Sequence, residues 1–506
     1  MRWWMQAILT ACALLSVPAT AHAEKQGGVL RVYHRDSPGG MSIHELGTIS
    51  TIMPMMGVFN NLIMYDQHKA QNSLDTIVPD LATSWTWNAD GNALTFKLRD
   101  GVKWNDGKPF TSADVKCTWD LLTGKAKDAF KINSRAGWYF NLREVTTNGP
   151  LEATFHMQRP QPAFLALLAS GFSPVYPYHV STRDMRVSPI GTGPFKFVEF
   201  KANEGMKVTR NPNYWKPGRP YLDGVEYTII PNRSTAILSF IAGKFDLTFP
   251  YEVTIPLLKD VKSQMPEAIC DITTTNVGGS MLMNMAPPFD NIALRKAAIM
   301  AVDRKAFIDI LTEGQSNTGG AMMPPPEGRW GLPPEMLADL PGFDPDIAKS
   351  RDAARVIMRG VGYGPDKHLA VKLSVRNLAL YRDPAVILLS QLKDIWIDGE
   401  METVETANWV PKLIRRDHQT AISMVGNGLD DPDQNFFESY VCGARTYMGY
   451  CNKEIDALVA QQFSLWRNAC VPRALGAFLA TRSRRQGRWA RNALVPSRWS
   501  HDGNTT

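Results

Sequence analysis

Residues 79–115 read PDLATSWTWNADGNALTFKLRDGVKWNDGKPFTSADV, and this stretch decides the fold class. Trp85 and Trp87 alternate with polar neighbours, and Asn88-Ala89-Asp90-Gly91 carries a turn signal. Leu94, Phe96 and Leu98 alternate on the return, so residues 84–104 are predicted to form a hairpin. Asp100-Gly101 and Asp106-Gly107 mark further turns. A helix is predicted from Thr111, with Asp114 in the acidic position of a capping box and Gly124 as its stop.

On the C-terminal side, a strand is predicted from Gly193-Pro194-Phe195 to Phe200, and a hairpin-like unit at Tyr221-Leu222-Asp223-Gly224 with Val225, Tyr227 and Ile229. Helical periodicity then takes over. Residues 292–311 carry Leu294, Ala298, Ala301, Phe307 and Ile310 on one face and are predicted as a single helix, with Gly314 beyond its end. Residues 319–341 are rich in Pro and Gly and read as a surface loop. A helix over 344–360 is expected with Asp344 as cap and Pro345 at its first position. A strand over 369–375 and a helix over 384–397 follow. Strands and helices mix throughout, which gives an α/β class, richest in strands in its first third.

The chain has 506 residues, 44% of them hydrophobic and 21% charged, which fits a globular protein of two or three domains. Its formal charge of +6 is unevenly placed. Residues 466–506 hold eight arginines and one acid, Asp502, and Arg2 is the one charge in residues 1–23. The body, residues 24–465, is therefore at −2, which argues against a basic nucleic-acid groove. Arg2, the apolar run from Ala7 to Val17 and Ala21-His22-Ala23 make residues 1–23 a signal peptide by pattern, with the mature chain starting at Glu24. A lipoprotein reading at Cys12 is the competitor, and the run is too short to span a bilayer.

In an oxidising compartment Cys442 and Cys451, nine positions apart, are expected to close a small ring; two separate thiols are the alternative. There is no Cys-x-x-Cys pair and no two-histidine helical spacing, so neither a metal site nor a cofactor is expected. Motifs for a nucleophile elbow, a phosphate loop and a zinc protease are missing, so no catalytic residue is assigned. Gly191-Thr192-Gly193 lacks the third glycine of a nucleotide turn and reads as a turn between domains. Asp430-Asp431-Pro432-Asp433 lacks the spacing of a calcium loop and reads as a loop or helix start.

The order Pro79-Asp80-Leu81-Ala82-Thr83-Ser84-Trp85, Asp90-Gly91, Thr95–Arg99, Gly101-Val102-Lys103-Trp104, Asp106-Gly107, Pro109-Phe110-Thr111 and Asp114-Val115 resembles the signature of family 5 extracellular solute-binding proteins. Gly191-Thr192-Gly193-Pro194-Phe195 with Asn211-Pro212-Asn213-Tyr214-Trp215 is similar to the family's second landmark. Leu294-Arg295-Lys296-Ala297 with Val302-Asp303-Arg304, and Gly449-Tyr450-Cys451-Asn452 with Ile455-Asp456, are similar to later ones. The resemblance spans about residues 28–464.

It implies a two-lobed periplasmic-binding-protein clamshell of type II, in the large three-subdomain class, with an extra strand-rich subdomain on lobe I. Lobe I would use residues 24–66 and 187–272, the extra subdomain 67–186, and lobe II 273–465, leaving 466–506 as an atypical arginine-rich tail. For the tail, a native basic segment and a shifted reading frame are the two readings, and the abrupt composition change favours the second. The implied function is the periplasmic solute-binding component of an ATP-binding-cassette importer, a monomer that delivers a peptide-like or other polar solute to an inner-membrane permease. A ligand-sensing or chaperone-like role without transport, and a periplasmic hydrolase, are the alternatives.

Within that frame, Arg376 and Tyr381 are expected in a loop at the edge of lobe II, with Arg376 receiving a ligand anion. Asn276, Gly278 and Gly279 are expected at the lobe crossing, as a hinge or a close approach to ligand. Trp409 reads as an aromatic wall or ordinary core, and Ser42 and His44 as cleft-lining or structural. In peptide-binding members an aspartate before the Asp-Pro segment holds the peptide amine. Here that position is Gly428, next to Asn427, so the resemblance to peptide binders is weakest at this point.

Overall fold

The structure is a computed structural model that describes residues 26–464, apart from 274, 276, 320–330, 333, 427, 428, 430, 432 and 443–446. The signal-like start and the arginine-rich tail lie outside the described residues. The predicted hairpin forms. Ala82–Trp87 pairs antiparallel with Ala93–Leu98. Its turn is closed by the Asn88 side chain, which accepts from the amides of Asn92 and Ala93 at 3.0 and 2.9 Å. Glu152–Met157 and Leu142–Thr147 complete a four-stranded antiparallel sheet. The helix Ser112–Thr123 covers it, started by the Thr111–Asp114 capping box and stopped by Gly124 at φ 73°. Trp119 on that helix packs edge-on against Phe155 at 4.9 Å, and Phe155 meets Phe96 at 5.6 Å. These rings anchor the subdomain core.

The first lobe's sheet runs Val29–His34, Gly224–Ile229, Gly205–Arg210, Phe195–Lys201, with the first pair parallel and the others antiparallel. Gly191-Thr192-Gly193 is a turn pressed onto this lobe. A Cβ at Gly191 would sit 1.8 Å from the carbonyl oxygen of Val58, which also accepts from the Gly193 amide at 2.9 Å. Glycine is required there by close backbone approach.

The second lobe's sheet runs Val277–Met283, Thr420–Gly426, Leu369–Arg376, Ile397–Val404; its first pair is antiparallel and the other two are parallel. Its core (Leu373, Val375, Leu388, Leu392, Ile397) is separate from the core shared by the first lobe and the subdomain. Two lobes with separate cores can move as units.

Three predicted elements differ from those observed. Residues 292–311 form two helices, Ile292–Met300 and Arg304–Thr312, because Asp303 accepts from the Ala306 amide and caps a second helix mid-pattern. The cap of the next helix, Ile347–Gly360, is Asp346; Asp344 instead accepts from the Asp346 amide and the Lys349 ammonium. The helix expected from Pro384 opens at Ala379 and ends at Lys393, with Pro384 inside it, and Ile397 begins the next strand. Pro384 sits in the second turn and does not start the helix, although proline favours a first helical position.

Candidate functional site

The end of the strand Leu369–Arg376 meets the segment that follows Val29–His34, which brings Arg376 of the second lobe onto Asp36 of the first. The Arg376 guanidinium donates from Nη2 to Asp36 at 2.5 Å and to the Ser50 hydroxyl at 2.8 Å, and from Nε to Thr406 at 2.8 Å. Ser50 donates to Asp36 at 2.6 Å, and the Thr406 hydroxyl also donates to that carboxylate. All four side chains are buried. Burial alone would raise the Asp36 carboxyl, but Arg376, Arg35 and the Ser50 hydrogen bond hold it at about 2. Burial opposes the Arg376 charge and Asp36 outweighs it. Arg376, expected to receive a ligand anion, is instead committed to protein groups and ties the two lobes together.

The other sequence candidates scatter. Tyr381 and Trp409 do lie beside Arg376: the Tyr381 ring is 5.6 Å from the guanidinium and 6.0 Å from Trp409. Trp409, however, is 3% exposed and packed with Leu282, Val410, Leu413 and Ala421, so it is core and not an open wall. Ser42 and His44 are likewise buried and paired within the protein. The Ser42 hydroxyl lies 3.2 Å from that of Tyr176, and His44 Nε2 lies 2.8 Å from the Pro174 carbonyl oxygen. Burial pushes His44 down to about 3, which keeps it neutral between Phe130 and Tyr176. Gly278 and Gly279 are exposed on an edge strand where an added Cβ meets nothing closer than Met424 at 3.8 Å. No close approach demands glycine there. Asn276, Asn427 and Gly428 lie outside the described residues. Cys442 and Cys451 are joined in a disulfide, with Cα atoms 4.4 Å apart.

A second cluster at the seam has no counterpart among the sequence candidates. Arg135 caps the short helical turn Ala136–Tyr139, and its segment is fixed by Glu45, which accepts from the Lys131 amide at 2.7 Å while its carbonyl accepts from Ser134 at 2.7 Å. The guanidinium lies 4.7 Å from the Trp138 ring and 4.4 Å from the Phe172 ring. Glu438, on the helix Asp433–Ser439 of the second lobe, accepts from Trp138 Nε1 at 2.5 Å and from Gln434. Burial raises the Glu438 carboxyl, and Arg135 partly offsets that; burial lowers Arg135, and Glu438 partly offsets that in turn. Tyr447, beside them, is pushed up to about 12 by burial and then by Glu438. Nothing in Asn133-Ser134-Arg135-Ala136-Gly137-Trp138 distinguishes this arginine from a surface one, because its burial comes from segments far away in sequence. Among the described residues there is no group of acidic, histidine and cysteine side chains suited to a metal, and no helix long and apolar enough to cross a membrane.

Comparison with known proteins gives a consistent result. The family model described as bacterial extracellular solute-binding proteins, family 5 Middle, matches residues 76–447. The dipeptide-binding protein of Escherichia coli (strain K12) is 23% identical over 476 residues, covering 88% of this chain and 85% of that protein. Among solved structures, the dipeptide-binding protein of Pseudoalteromonas sp. SM9913 in complex with Met-Leu superposes with a TM-score of 0.78 at 21% identity, over 89% of this chain and 91% of that one. A periplasmic binding protein of A. tumefacien R10 in complex with agropinic acid superposes with a TM-score of 0.75 at 21% identity, over 90% and 89%. These structural likenesses establish the two-lobed fold.

Proposed function

Since this chain belongs to the bacterial extracellular solute-binding proteins of family 5, we propose that it captures a peptide-like or other polar organic solute between its lobes and delivers it to an inner-membrane permease of an ATP-binding-cassette importer. The observation that carries this reading is the contact of Asp36 and Ser50 with Arg376 and Thr406 across the seam. A solute that touches both lobes stabilises the closed arrangement, and the surface then shared by the lobes is what a permease can tell apart from the open protein. No bond in the solute is broken, so the protein acts as a carrier and not as an enzyme. It works as a monomer in the periplasm, with residues 1–23 as a removable export signal. The lobes use residues 24–66 with 187–272, and 273–465, and residues 67–186 form the added subdomain. The ligand-binding names of its relatives, dipeptides and agropinic acid, share carboxylates on a small polar frame.

The test is native mass spectrometry of the protein purified from a periplasmic extract. A co-purified small solute, and loss of that solute's uptake on deletion of the gene, are the expected results. An empty protein whose deletion leaves uptake of peptides and organic acids intact would remove the importer role.

A further inference from the structure

Six side chains of alternating charge form a chain of contacts that meets the seam at both ends: Asp383, Arg233, Glu252, Arg35, Asp36 and Arg376. The middle four belong to the first lobe. Arg233 opens the helix Arg233–Ile241, Arg35 and Asp36 follow the strand Val29–His34, and Glu252 follows Phe249, which packs in one cluster with Tyr33. The two ends belong to the second lobe, Arg376 closing its strand and Asp383 on the helix Ala379–Lys393. The contacts alternate in kind. Arg233 Nη1 donates to Asp383 at 3.3 Å, Arg35 Nη1 to Glu252 at 3.3 Å, and Arg376 Nη2 to Asp36 at 2.5 Å. Between these bonds lie two wider approaches, Arg233 Nε to Glu252 at 3.5 Å and Arg35 Nε to Asp36 at 3.9 Å. Those two Nε groups have no hydrogen-bond partner among the described residues. Arg35, Asp36 and Glu252 are all buried, where a stranded charge is costly.

We propose that this chain of charges is a counter-ion hand-over that lets the lobes part without stranding a buried charge. When the second lobe withdraws Arg376 and Asp383, Arg35 passes from Glu252 to Asp36 through its Nε, and Arg233 passes from Asp383 to Glu252 through its own. Each bond moves one place along the chain, and the four first-lobe charges stay paired. The spare donors already face the acceptors they take up, so bonding distance is reached by a shift of about 1 Å. Asp383 is half exposed and needs no new partner, while Arg376 keeps its bond to Thr406 and the Tyr381 ring beside it. The two sets of bonds are the discrete alternatives that a two-state element requires. This inference rests on the lobes parting, as the capture reading requires, and gives Arg35 a part in opening that involves no solute. A plain Arg35–Glu252 pair inside one lobe would support the closed and open states equally. In the hand-over Arg35 matters more when open, because in the closed state Arg376 holds Asp36 and Arg233 Nε stands beside Glu252. Loss of Arg35 therefore shifts the molecule toward closure.

The test is hydrogen–deuterium exchange read by mass spectrometry on the full-length chain, stripped of co-purified solute by dialysis from urea. Seam peptides covering residues 36–50 and 403–411 report lobe opening, and the subdomain strand Ala93–Leu98 reports unfolding. Arg35→Gln should slow seam exchange by about three- to ten-fold, the range for a hydrogen bond to a charged group that is partly solvated on opening. Asp383→Asn weakens the closed state alone and should speed seam exchange by about two- to five-fold, as for an exposed ion pair. Arg35→Lys keeps the cation without the fork and should fall between Arg35→Gln and the wild type. It carries the test if the glutamine variant exchanges its subdomain strand as fast as its seam. Seam exchange in Arg35→Gln, or in Arg35→Lys where the first unfolds, at the wild-type rate or faster overturns the hand-over and leaves capture standing. Seam peptides as slow as the subdomain strand in the wild type and in Asp383→Asn would show that the lobes do not part, which overturns the capture reading and this inference together.

Discussion

Of the arginines buried at the seam, Arg376 and Arg135 differ most in how their donors are met. Arg376 gives hydrogen bonds to Asp36, Ser50 and Thr406, across a sequence separation of 340 residues to Asp36. Arg135 has aromatic rings beside it, a carboxylate nearby and two donors unmet. The first is a completed structural clasp, and the second keeps two donors that no described residue meets. Burial alone does not separate these roles; the count of satisfied donors does.

The largest effect should come from breaking the clasp. Arg376→Ala leaves the buried Asp36 with Arg35, 3.9 Å away, as its remaining counter-charge and should cost about 3 kcal/mol in chemical denaturation. The acid limb should change with it. Asp36 is held at about 2, below its unfolded value of 3.8, so its contribution is present above pH 3.8 and is lost as pH falls through about 2. In Arg376→Ala that loss should shrink, since Arg35 and Ser50 remain beside Asp36; an unchanged acid limb would show that the clasp is not closed in solution.

Next is the Cys442–Cys451 ring. Peptide mapping without reduction should find Cys442 linked to Cys451, whose separation is nine. Reduction of so short a loop should cost about 2–3 kcal/mol.

Glu438→Gln probes the second cluster by pH. The Glu438 carboxyl is raised by burial, so its ionised form destabilises the fold. That penalty sets in as pH rises through the unfolded value of 4.5 and is complete above the folded one. The wild type should therefore lose stability over that window, and Glu438→Gln should lose less, by about 1 kcal/mol or below because the side chain is half-buried. A pH-melting-temperature map of both proteins measures it.

The smallest change in stability is expected for Arg135→Gln. Removing a cation with unmet donors gives up little, and the empty protein should stay within about 1 kcal/mol of the wild type on either side. A cost as large as that of Arg376→Ala would mean that the two arginines have the same structural role and would erase the comparison.

Local chemistry was legible without the fold. The Asn88–Gly91 turn, the Thr111–Asp114 capping box and the Gly124 stop are contacts between near neighbours in sequence, so their residue types suffice to specify them. The family landmarks share this property, since they are turns and caps at fixed spacing. Periodicity misplaced boundaries where one cap or one proline decides them. Asp303 split one predicted helix, and the helix expected at Pro384 began five residues earlier than its proline suggested.

The sequence by itself determined an α/β chain of several domains, with a near-neutral body, a strand-rich early region and a solute-binding family signature. Only the tertiary structure decided which arginine is spent and which has unmet donors. Arg376 and Arg135 read alike in one dimension, as cations beside an aromatic residue. Hydrogen bonding and desolvation depend on residues hundreds of positions away, Asp36 for one and Glu438 for the other. Those meetings exist only once two lobes with separate cores close on each other, and no local pattern encodes them.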